Sequence, residues 1–293
     1  MVFQQAGIVS NIRIVKNEQV KKCNLCNGEG FLFQPSGGSK HINFFEVCGC
    51  IESACVCDKT PPFVYLNDEL RTLLNCACRE TRLKIEHIKK MILESNIPPK
   101  YQYKRIQDFV IDLADENASR NMAIAVDEAR HFIDSYDIQK PGKQKGMYFF
   151  GPPGTGKTML ACAIASELIL KHKTSVYYAK ISRDFFNRIK STFNSESNMY
   201  GRGEDIFYKL AQTSLLILDD FGVQADSEWE KRTLYDLIDA RYENQKPVLL
   251  TSNVTPDEWK GLFNGRIFSR LLEMTNFIEM IADDYRNNYV NKL

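Results

Sequence analysis

The stretch that most constrains this chain is a glycine-rich loop that fits the pattern G-x-x-x-x-G-K-[ST]. Its residues, called the phosphate loop below, are Gly151, Pro152, Pro153, Gly154, Thr155, Gly156, Lys157 and Thr158. The apolar run 147–150 before it predicts a buried strand, and the periodic run 159–170 after it predicts a helix. Glycines free backbone N–H groups to surround phosphate oxygens, and a helix N-terminus adds positive potential. The loop therefore predicts a site for the phosphates of a nucleotide.

We expect all eight loop residues to contact ATP. The amine of Lys157 is expected to reach the β- and γ-phosphates, and the hydroxyl of Thr158 to bind Mg²⁺. The alternative is a chance glycine-rich turn. It is disfavoured because the strand, the loop and the helix all agree.

Length and charge limit the remaining possibilities. A chain of 293 residues has room for one large domain and one smaller domain. Its formal net charge of +1 gives no argument for nucleic acid binding by the whole protein, so any basic surface must be local. No apolar run approaches ~20 residues, and the N-terminus lacks the apolar segment of a signal peptide. We therefore expect a cytoplasmic protein that does not bind membranes.

Eight of the nine cysteines fall in one short segment near the N-terminus. They are Cys23, Cys26, Cys48, Cys50, Cys55, Cys57, Cys76 and Cys78. In a reducing compartment such clustering favours metal binding over disulfides. The first pair has the Cys-x-x-Cys spacing and is followed by glycines, as in metal knuckles. The other three pairs have the tighter Cys-x-Cys spacing.

Eight thiols suffice for two tetrahedral sites, so we expect one or two Zn²⁺ ions per chain. Our preferred core site uses the outer pairs, Cys23 with Cys26 and Cys76 with Cys78. The middle four cysteines then form a second site inside an insertion. Iron–sulfur ligation lacks a recognised spacing here, and a set of free thiols is the remaining alternative.

The chain in order predicts an α/β fold. A helical pattern over 81–95 ends at Asn96-Ile97-Pro98-Pro99, which places a domain boundary near residue 96. The predicted domains are 1–95 and 96–293. Beyond a helix over 119–136, strand patterns alternate with helices, two of which open with capping boxes. The predicted strands are 147–150, 176–179, 215–218, 248–251 and 277–281; the capping boxes lie at 227–230 and 255–258, and a polar loop at 194–204. Such alternation predicts a five-stranded parallel sheet flanked by helices on both faces.

Polar residues follow two of these strands. The apolar strand 215–218 is followed by Asp219 and Asp220, as in a Walker B strand, and Asn253 follows the next strand. Ligands bind at the C-terminal edge of such sheets. We expect Asp219 to partner Mg²⁺, Asp220 to polarise the attacking water, and Asn253 to contact that water or the γ-phosphate. A solvated turn is the alternative for each position taken alone.

Three arginines are candidates for contacts with phosphate. Arg266 and Arg270 are spaced i and i+4, so they share one helix face, and Arg286 follows the last predicted strand. Surface ion pairing is the usual role of arginine. A guanidinium also suits a transferring phosphoryl group and can come from a neighbouring subunit.

With these motifs the chain resembles AAA+ ATPases, specifically the DnaC/DnaI-type replicative helicase loaders and the related IstB transposition helpers. The matching stretches are 151–158, 215–222 (LLILDDFG), 241–253 (RYENQKPVLLTSN), 266–271 (RIFSRL), 284–286 (DYR) and the start at Ile97-Pro98-Pro99-Lys100-Tyr101. The resemblance covers residues 96 to 293. It implies that Arg270 is a trans arginine finger and that Arg286 is a second sensor. We expect Arg266, one helical turn before Arg270, to contact the nucleotide. The chain ends soon after Arg286, so we expect no C-terminal helical lid.

The N-terminal part resembles the zinc-binding helicase-interaction domain of DnaI-type loaders. That domain has a Cys-x-x-Cys pair and a later Cys-x-Cys pair ahead of the ATPase domain. This chain departs from that pattern by carrying four cysteines more, so the family pattern does not fix its number of metal ions.

The resemblance implies an ATP-dependent loader of a replicative ring helicase onto single-stranded DNA, which self-associates through its ATPase domains on binding ATP or helicase. Single-strand binding needs local positive charge and stacking surfaces. The candidates are Lys180, Arg183, Arg188, Lys190, Tyr177, Tyr178 and Phe186, although aromatic residues in such patterns are more often part of the core. The alternatives are an IstB-like ATPase that helps DNA transposition, and a metal-binding adaptor whose nucleotide site switches with little turnover.

Overall fold

The computed structural model describes most of the chain in two compact units, residues 1–87 and 88–293. The described residues are 23–33, 44–109, 116–137, 139–140, 144–192, 201–221, 227–260 and 265–282, with the side chains of 182–184 and 259 left aside. Most of the polar loop predicted at 194–204 lies outside these ranges, and so does Arg286.

The first unit is built from two antiparallel hairpins and short helices. Its elements are β1 (Phe31–Phe33), β2 (Phe45–Val47), α1 (Gly49–Glu52), β3 (Val64–Asn67), β4 (Thr72–Asn75) and the start of α2 (Arg79–Glu94). β1 pairs with β2, and β3 pairs with β4. The buried cluster of this unit consists of four cysteines with Ile51 and Phe63. So small an apolar core gives little burial energy, and domains of this kind usually need a metal or disulfides.

The second unit contains the five-stranded sheet. Its strands are β5 (Gly146–Phe150), β6 (Val176–Lys180), β7 (Leu215–Asp219), β8 (Val248–Ser252) and β9 (Thr275–Glu279). Its α-helices after α2 are α3 (Glu116–Asp134), α4 (Lys157–His172), α5 (Asn187–Ser191), α6 (Gly203–Gln212), α7 (Glu228–Glu243), α8 (Pro256–Trp259) and α9 (Arg266–Met274); a 3-10 turn spans Ile106–Asp108 and a π-helical turn Ile181–Phe186. The strand order is β6-β7-β8-β5-β9, and all pairs are parallel. The predicted fold class is confirmed.

Helices cover the sheet because its strands carry apolar side chains on both faces. Tyr148, Leu216 and Leu250 belong to a cluster that also contains buried residues of α5, α6, α7 and α9. The buried residues of α4 are absent from that cluster, although α4 contacts β6, β7 and β8, so α4 packs on the opposite face. Burial of each large aliphatic side chain contributes about 1.5–3 kcal/mol.

Both predicted capping boxes are confirmed. Ser227 accepts a hydrogen bond from the backbone N–H of Glu230, and the Glu230 carboxylate accepts one from the N–H of Ser227. At the start of α8 the Glu258 carboxylate accepts from the N–H and the hydroxyl of Thr255. The last strand begins two residues earlier than predicted, since α9 runs into β9 without a loop. None of the helices in the described ranges has the length and apolar content needed to span a bilayer.

Candidate nucleotide site and metal centres

The phosphate loop joins β5 to α4, and its glycines are required by close approaches. Gly151 has φ +138°, and a Cβ there would lie 2.3 Å from the backbone oxygen of Met280. Gly156 has φ +91°, and a Cβ there would lie 2.9 Å from the ring of Phe109. α4 begins at Lys157, so the loop ends at a helix N-terminus as expected. The backbone therefore has the form of an anion-binding loop.

The amine of Lys157 lies within the loop. Its Nζ donates to the carbonyl oxygens of Gly151 at 2.8 Å and Pro152 at 2.6 Å, and to the hydroxyl of Thr155 at 3.3 Å. The residue is only 6 % exposed. A buried ammonium held by neutral carbonyls is well placed to neutralise a phosphate bound at the loop.

The carboxylate of Asp219 accepts hydrogen bonds from three hydroxyl groups. Thr158 at the end of the loop donates to Oδ1 at 2.6 Å, and Thr251 of β8 donates to the same oxygen at 2.5 Å. Tyr178 of β6 donates to Oδ2 at 2.6 Å. Carboxylate and hydroxyl oxygens are the donors that Mg²⁺ prefers, so Thr158 and Asp219 fit this ion.

Asp220 has a different environment from its neighbour. Its backbone is left-handed, with φ +56°, and its N–H donates to the hydroxyl of Thr251 at 3.3 Å. The carboxylate Oδ2 lies 2.6 Å from Nζ of Lys180, and both side chains are 37 % exposed. Asp220 is therefore open to solvent at the C-terminal edge of the sheet, while Asp219 is buried.

Sequence reasoning did not single out Thr251 or assign Tyr178 to this site. Thr251 lies in β8, which pairs with β7. The sequence feature that could have indicated it is a hydroxyl at the end of a strand that neighbours a Walker B strand. Tyr178 carried no signal that separates it from a core tyrosine. Asn253 follows β8 directly and is exposed.

The arginines of α9 differ in exposure. Arg266 is exposed. Nε of Arg270 donates to Asp239 of α7, and its guanidinium lies 4.9 Å from the ring centre of Tyr235 and 5.7 Å from that of Tyr242. Arg270 is thus held against the neighbouring helix of its own chain.

The aromatic candidates for single-strand binding are core residues, which is the alternative that the sequence left open for them. Tyr177, Tyr178 and Phe186 are 8, 3 and 1 % exposed, because β6 and the turn after it pack under helices. Buried rings offer no face on which a base can stack.

The basic candidates beside them have protein partners. Lys180 pairs with Asp220, Lys190 with Glu230, and Arg188 donates to the hydroxyl of Tyr177; the side chain of Arg183 lies outside the described set.

The eight N-terminal cysteines form two groups of four sulfurs. The sulfur atoms within each group lie within 4.8 Å of one another. The groups are Cys23, Cys26, Cys48 and Cys50, here called the first cluster, and Cys55, Cys57, Cys76 and Cys78, here called the second cluster. Recorded sulfur–sulfur distances run from 3.5 to 3.9 Å. A tetrahedral zinc with bonds of ~2.3 Å requires sulfurs ~3.8 Å apart, so both groups fit zinc.

The predicted pairing of the cysteines is wrong. The first cluster forms because the β1–β2 hairpin brings Cys48 to Gly30, whose carbonyl accepts from the N–H of Cys48 at 2.9 Å. The second forms because the β3–β4 hairpin brings Cys76 to Phe63, with an N–H···O distance of 3.0 Å. Each hairpin closes its own short loop, which costs less entropy than joining the outer pairs.

Each cluster contains one thiol whose pKa is lowered. Backbone N–H groups of Cys26 and Leu25 lower the pKa of Cys23 to about 7. Burial raises the pKa of Cys76, but backbone N–H groups of neighbours that include Cys78 outweigh it and bring the value to about 6. A thiol that ionises near neutral pH is a ready ligand for the first metal bond.

Comparison with known proteins places the second unit in a family. Residues 139–292 match the family model described as IstB-like ATP binding protein. The replicative helicase loader DnaC of Escherichia coli (strain K12) is 30% identical over 170 residues, which is 57% of this chain and 65% of DnaC. The replicative helicase loader DnaI of Bacillus subtilis (strain 168) is 32% identical over 136 residues, or 45% of this chain and 40% of DnaI. The chain thus spans less than two thirds of either relative.

Three solved structures have a fold similar to that of about two thirds of this chain. The DnaC helicase loader superposes with a TM-score of 0.53 at 20% identity, over 63% of this chain and 100% of that chain. The DnaI structure gives 0.51 at 24% identity, over 63% and 94%. AMPPCP-bound DnaA from Aquifex aeolicus gives 0.50 at 20% identity, over 68% and 56%.

Proposed function

Because the chain belongs to the family of IstB-like ATP binding proteins, we propose that it is an ATP-dependent replication factor that loads a replicative ring helicase onto single-stranded DNA. The similarity to two replicative helicase loaders supports the role. The single observation that carries ATP dependence is the meeting of Thr158, at the end of the phosphate loop, with the Asp219 carboxylate.

In this proposal the phosphate loop, residues 151–158, binds the triphosphate of ATP. Lys157 turns its amine from the loop carbonyls to the β- and γ-phosphates, and Thr158 and Asp219 hold Mg²⁺. Bound there, the ion neutralises charge that develops on the phosphate oxygens. Because the Asp219 carboxylate is buried and hydrogen-bonded, it already faces the loop and need not reorient when the ion binds.

Hydrolysis to ADP and phosphate then depends on residues around the γ-phosphate. We assign Asp220 to orienting the attacking water and Asn253 to contacting that water or the phosphate. Arg270 acts in the site of a neighbouring subunit, which makes hydrolysis depend on self-association through the ATPase domains. Arg266 and Arg286 also contact the nucleotide and help to bind it.

The N-terminal domain, residues 1–95, is proposed to hold two Zn²⁺ ions and to grip the helicase. We place this boundary at the end of the helix α2, at Glu94, where Asn96 and two prolines follow, although the two compact units divide within α2, between residues 87 and 88. The ATPase domain, residues 96–293, binds single-stranded DNA through surface charge rather than through the buried aromatic residues of β6. The protein acts in the cytoplasm.

The proposal is tested by recovering the protein from native lysate and identifying what is bound to it. A ring helicase should co-purify, and ATP should increase its transfer to circular single-stranded DNA. ATP turnover measured with and without single strands separates the loader from a nucleotide-switched adaptor, which turns over little in both conditions. Failure to find a helicase would overturn the loader role.

A second candidate is favoured by the description of the matched family, which is an IstB-like one. Under it, the protein is an ATPase that assists DNA transposition and binds duplex DNA. A transposase, not a helicase, would then co-purify. The two cysteine clusters count against this candidate, because the resemblance to IstB helpers is confined to the ATPase part.

A further inference from the structure

The phenol of Tyr178 is buried beside the Asp219 carboxylate. Its hydroxyl donates to Oδ2 of Asp219 at 2.6 Å, and the residue is 3 % exposed. Thr158 and Thr251 both donate to the other oxygen, Oδ1. The hydroxyl of Thr158 can donate its proton to the carboxylate while a lone pair binds Mg²⁺. Because Thr158 and Thr251 both hold Oδ1, the hydroxyl of Tyr178 is the group that fixes Oδ2 and with it the rotation of the carboxylate.

A carboxylate oxygen only accepts hydrogen bonds, so the hydroxyl of Tyr178 is the donor in this contact. The phenol can either donate its proton to the carboxylate or rotate away. In this buried setting rotation would leave a charged oxygen with one donor fewer, which is costly.

The main chain of Tyr178 is fixed as firmly as its hydroxyl. The N–H of Tyr178 donates to the carbonyl oxygen of Ser95 at 2.7 Å, and its carbonyl accepts from Nδ2 of Asn96 at 2.8 Å. On the other side of β6, the strand pairs with β7, which carries Asp219. The peptide is therefore held on both edges, and the ring is delivered to Asp219 in one position.

We propose that Tyr178 is a positioning residue for the carboxylate that binds the metal ion of the nucleotide. This inference rests on the proposed ATP site and deepens it. Tyr178 acts through Asp219 and touches neither nucleotide nor metal. Residues that orient metal ligands in this way usually change metal affinity by about 10- to 100-fold when removed.

The test is the Tyr178→Phe variant of the full chain, which deletes one oxygen and keeps the ring. Mn²⁺ serves as the probe, and its affinity for the complex with ATP is measured by electron paramagnetic resonance. We expect Mn²⁺ affinity to fall about 10-fold, while ATP affinity in EDTA stays as in the wild type. The Mg²⁺ concentration for half-maximal ATP turnover should rise by the same factor.

Tyr177→Phe is the matched control. It removes a hydroxyl from the preceding residue of the same strand, which accepts from Arg188 rather than donating to Asp219. Unchanged Mn²⁺ affinity in Tyr178→Phe, or an equal loss in Tyr177→Phe, would overturn the proposal.

A second variant covers loss of the fold. If Tyr178→Phe fails to bind ATP in EDTA, the Mn²⁺ affinity of the Asn96→Gly variant tests the proposal instead. This substitution removes the amide that holds the Tyr178 carbonyl and keeps a left-handed backbone that glycine adopts freely, since Asn96 has φ +57°. Wild-type Mn²⁺ affinity in Asn96→Gly overturns the proposal. If the complex of the wild-type protein with ATP takes up no Mn²⁺, both the proposed ATP site and this inference fall, whereas equal Mn²⁺ affinity in the wild type and Tyr178→Phe overturns the inference alone.

Discussion

Nζ of Lys180 and Oδ2 of Asp220 lie 2.6 Å apart, at the ends of two neighbouring strands. The ammonium of Lys180 therefore pairs with the Asp220 carboxylate, to which we assign the role of orienting the attacking water. Lys180→Ala should raise basal ATP turnover, because Asp220 is then free to accept from water. An ion pair this exposed is worth at most about 1 kcal/mol, which limits the gain to about five-fold. Lys190→Ala, which breaks a pair with Glu230 instead, is the control. A rate at or below the wild-type value would refute the assignment.

Asp220→Asn should bind ATP and fail to hydrolyse it. The amide cannot accept a proton from water, yet it leaves the phosphate loop and Asp219 intact. Loss of a positioned base slows a reaction by about 10²- to 10⁴-fold. Nucleotide affinity and single-turnover hydrolysis, measured on the same preparation, check this. Hydrolysis at the native rate means that another group orients the water.

The main effect of Lys157→Ala should be a loss of ATP affinity, with the fold retained. The amine is the principal counter-charge for the β- and γ-phosphates, and a charge-assisted hydrogen bond contributes about 1.5–3 kcal/mol. We therefore expect the Kd for ATP to rise by roughly 10- to 150-fold. Fluorescent-nucleotide titration measures this change, and circular dichroism verifies that the fold is retained. Wild-type affinity would place the phosphates elsewhere.

Arg270→Ala should bind ATP normally as a monomer and lose the hydrolysis that assembly stimulates. A trans arginine is worth about 10³- to 10⁵-fold in related phosphoryl transfers. The measurement is the ATPase rate per subunit against protein concentration. Mixing Arg270→Ala with Lys157→Ala should recover some activity, because the second variant supplies Arg270 to the intact site of the first. A native rate that stays flat into the dilute range contradicts a trans role.

If Arg270 acts in a neighbouring subunit, as we propose, it must first leave its ion pair with Asp239. Asp239→Asn removes the charge that holds it. Assembly should then require less protein, and the concentration dependence of the ATPase rate should shift to lower values.

Zinc analysis should give about two ions per chain, one for each cluster. Cys26→Ser should lose the ion of the first cluster alone, and Cys78→Ser that of the second, because no sulfur is shared between them. Cys162→Ala, at the buried ninth cysteine of α4, should retain both ions. Structural zinc contributes on the order of 10 kcal/mol to folding of small domains, so strong chelation should unfold residues 1–95 and spare ATP binding. Protein purified without chelator that contains no zinc or iron would exclude metal binding.

Local patterns were sufficient to predict the sheet and the phosphate loop. Strand, loop and helix follow from neighbouring residues, and Ser227 with Glu230 marks a helix start within four positions. The cysteine sets depended on how two hairpins fold back, which spacing alone does not encode. The partners of Asp219 lie on strands that are distant in sequence, so Tyr178 could not be told from a core tyrosine.

Arg241 shows the same limit in another way. Arginine is usually exposed to solvent. Arg241 is instead fully buried and donates to the carbonyl oxygens of Leu210, Ala211, Thr213 and Pro247. Burial lowers its pKa to about 9. Its position depends on where the end of α6 meets the end of α7, which is a tertiary feature.

The separate closure of the two clusters has a consequence for biosynthesis. All four sulfurs of the first cluster lie within residues 23–50, and those of the second within residues 55–78. A nascent chain that has emerged to residue 50 already contains all four sulfurs of the first cluster. If each cluster binds one zinc ion, as we propose, the first ion can be captured during translation before the second hairpin exists. Ribosome-bound chains that expose residues 1–50 while residues 55–78 are still inside the exit tunnel would carry the first ion only.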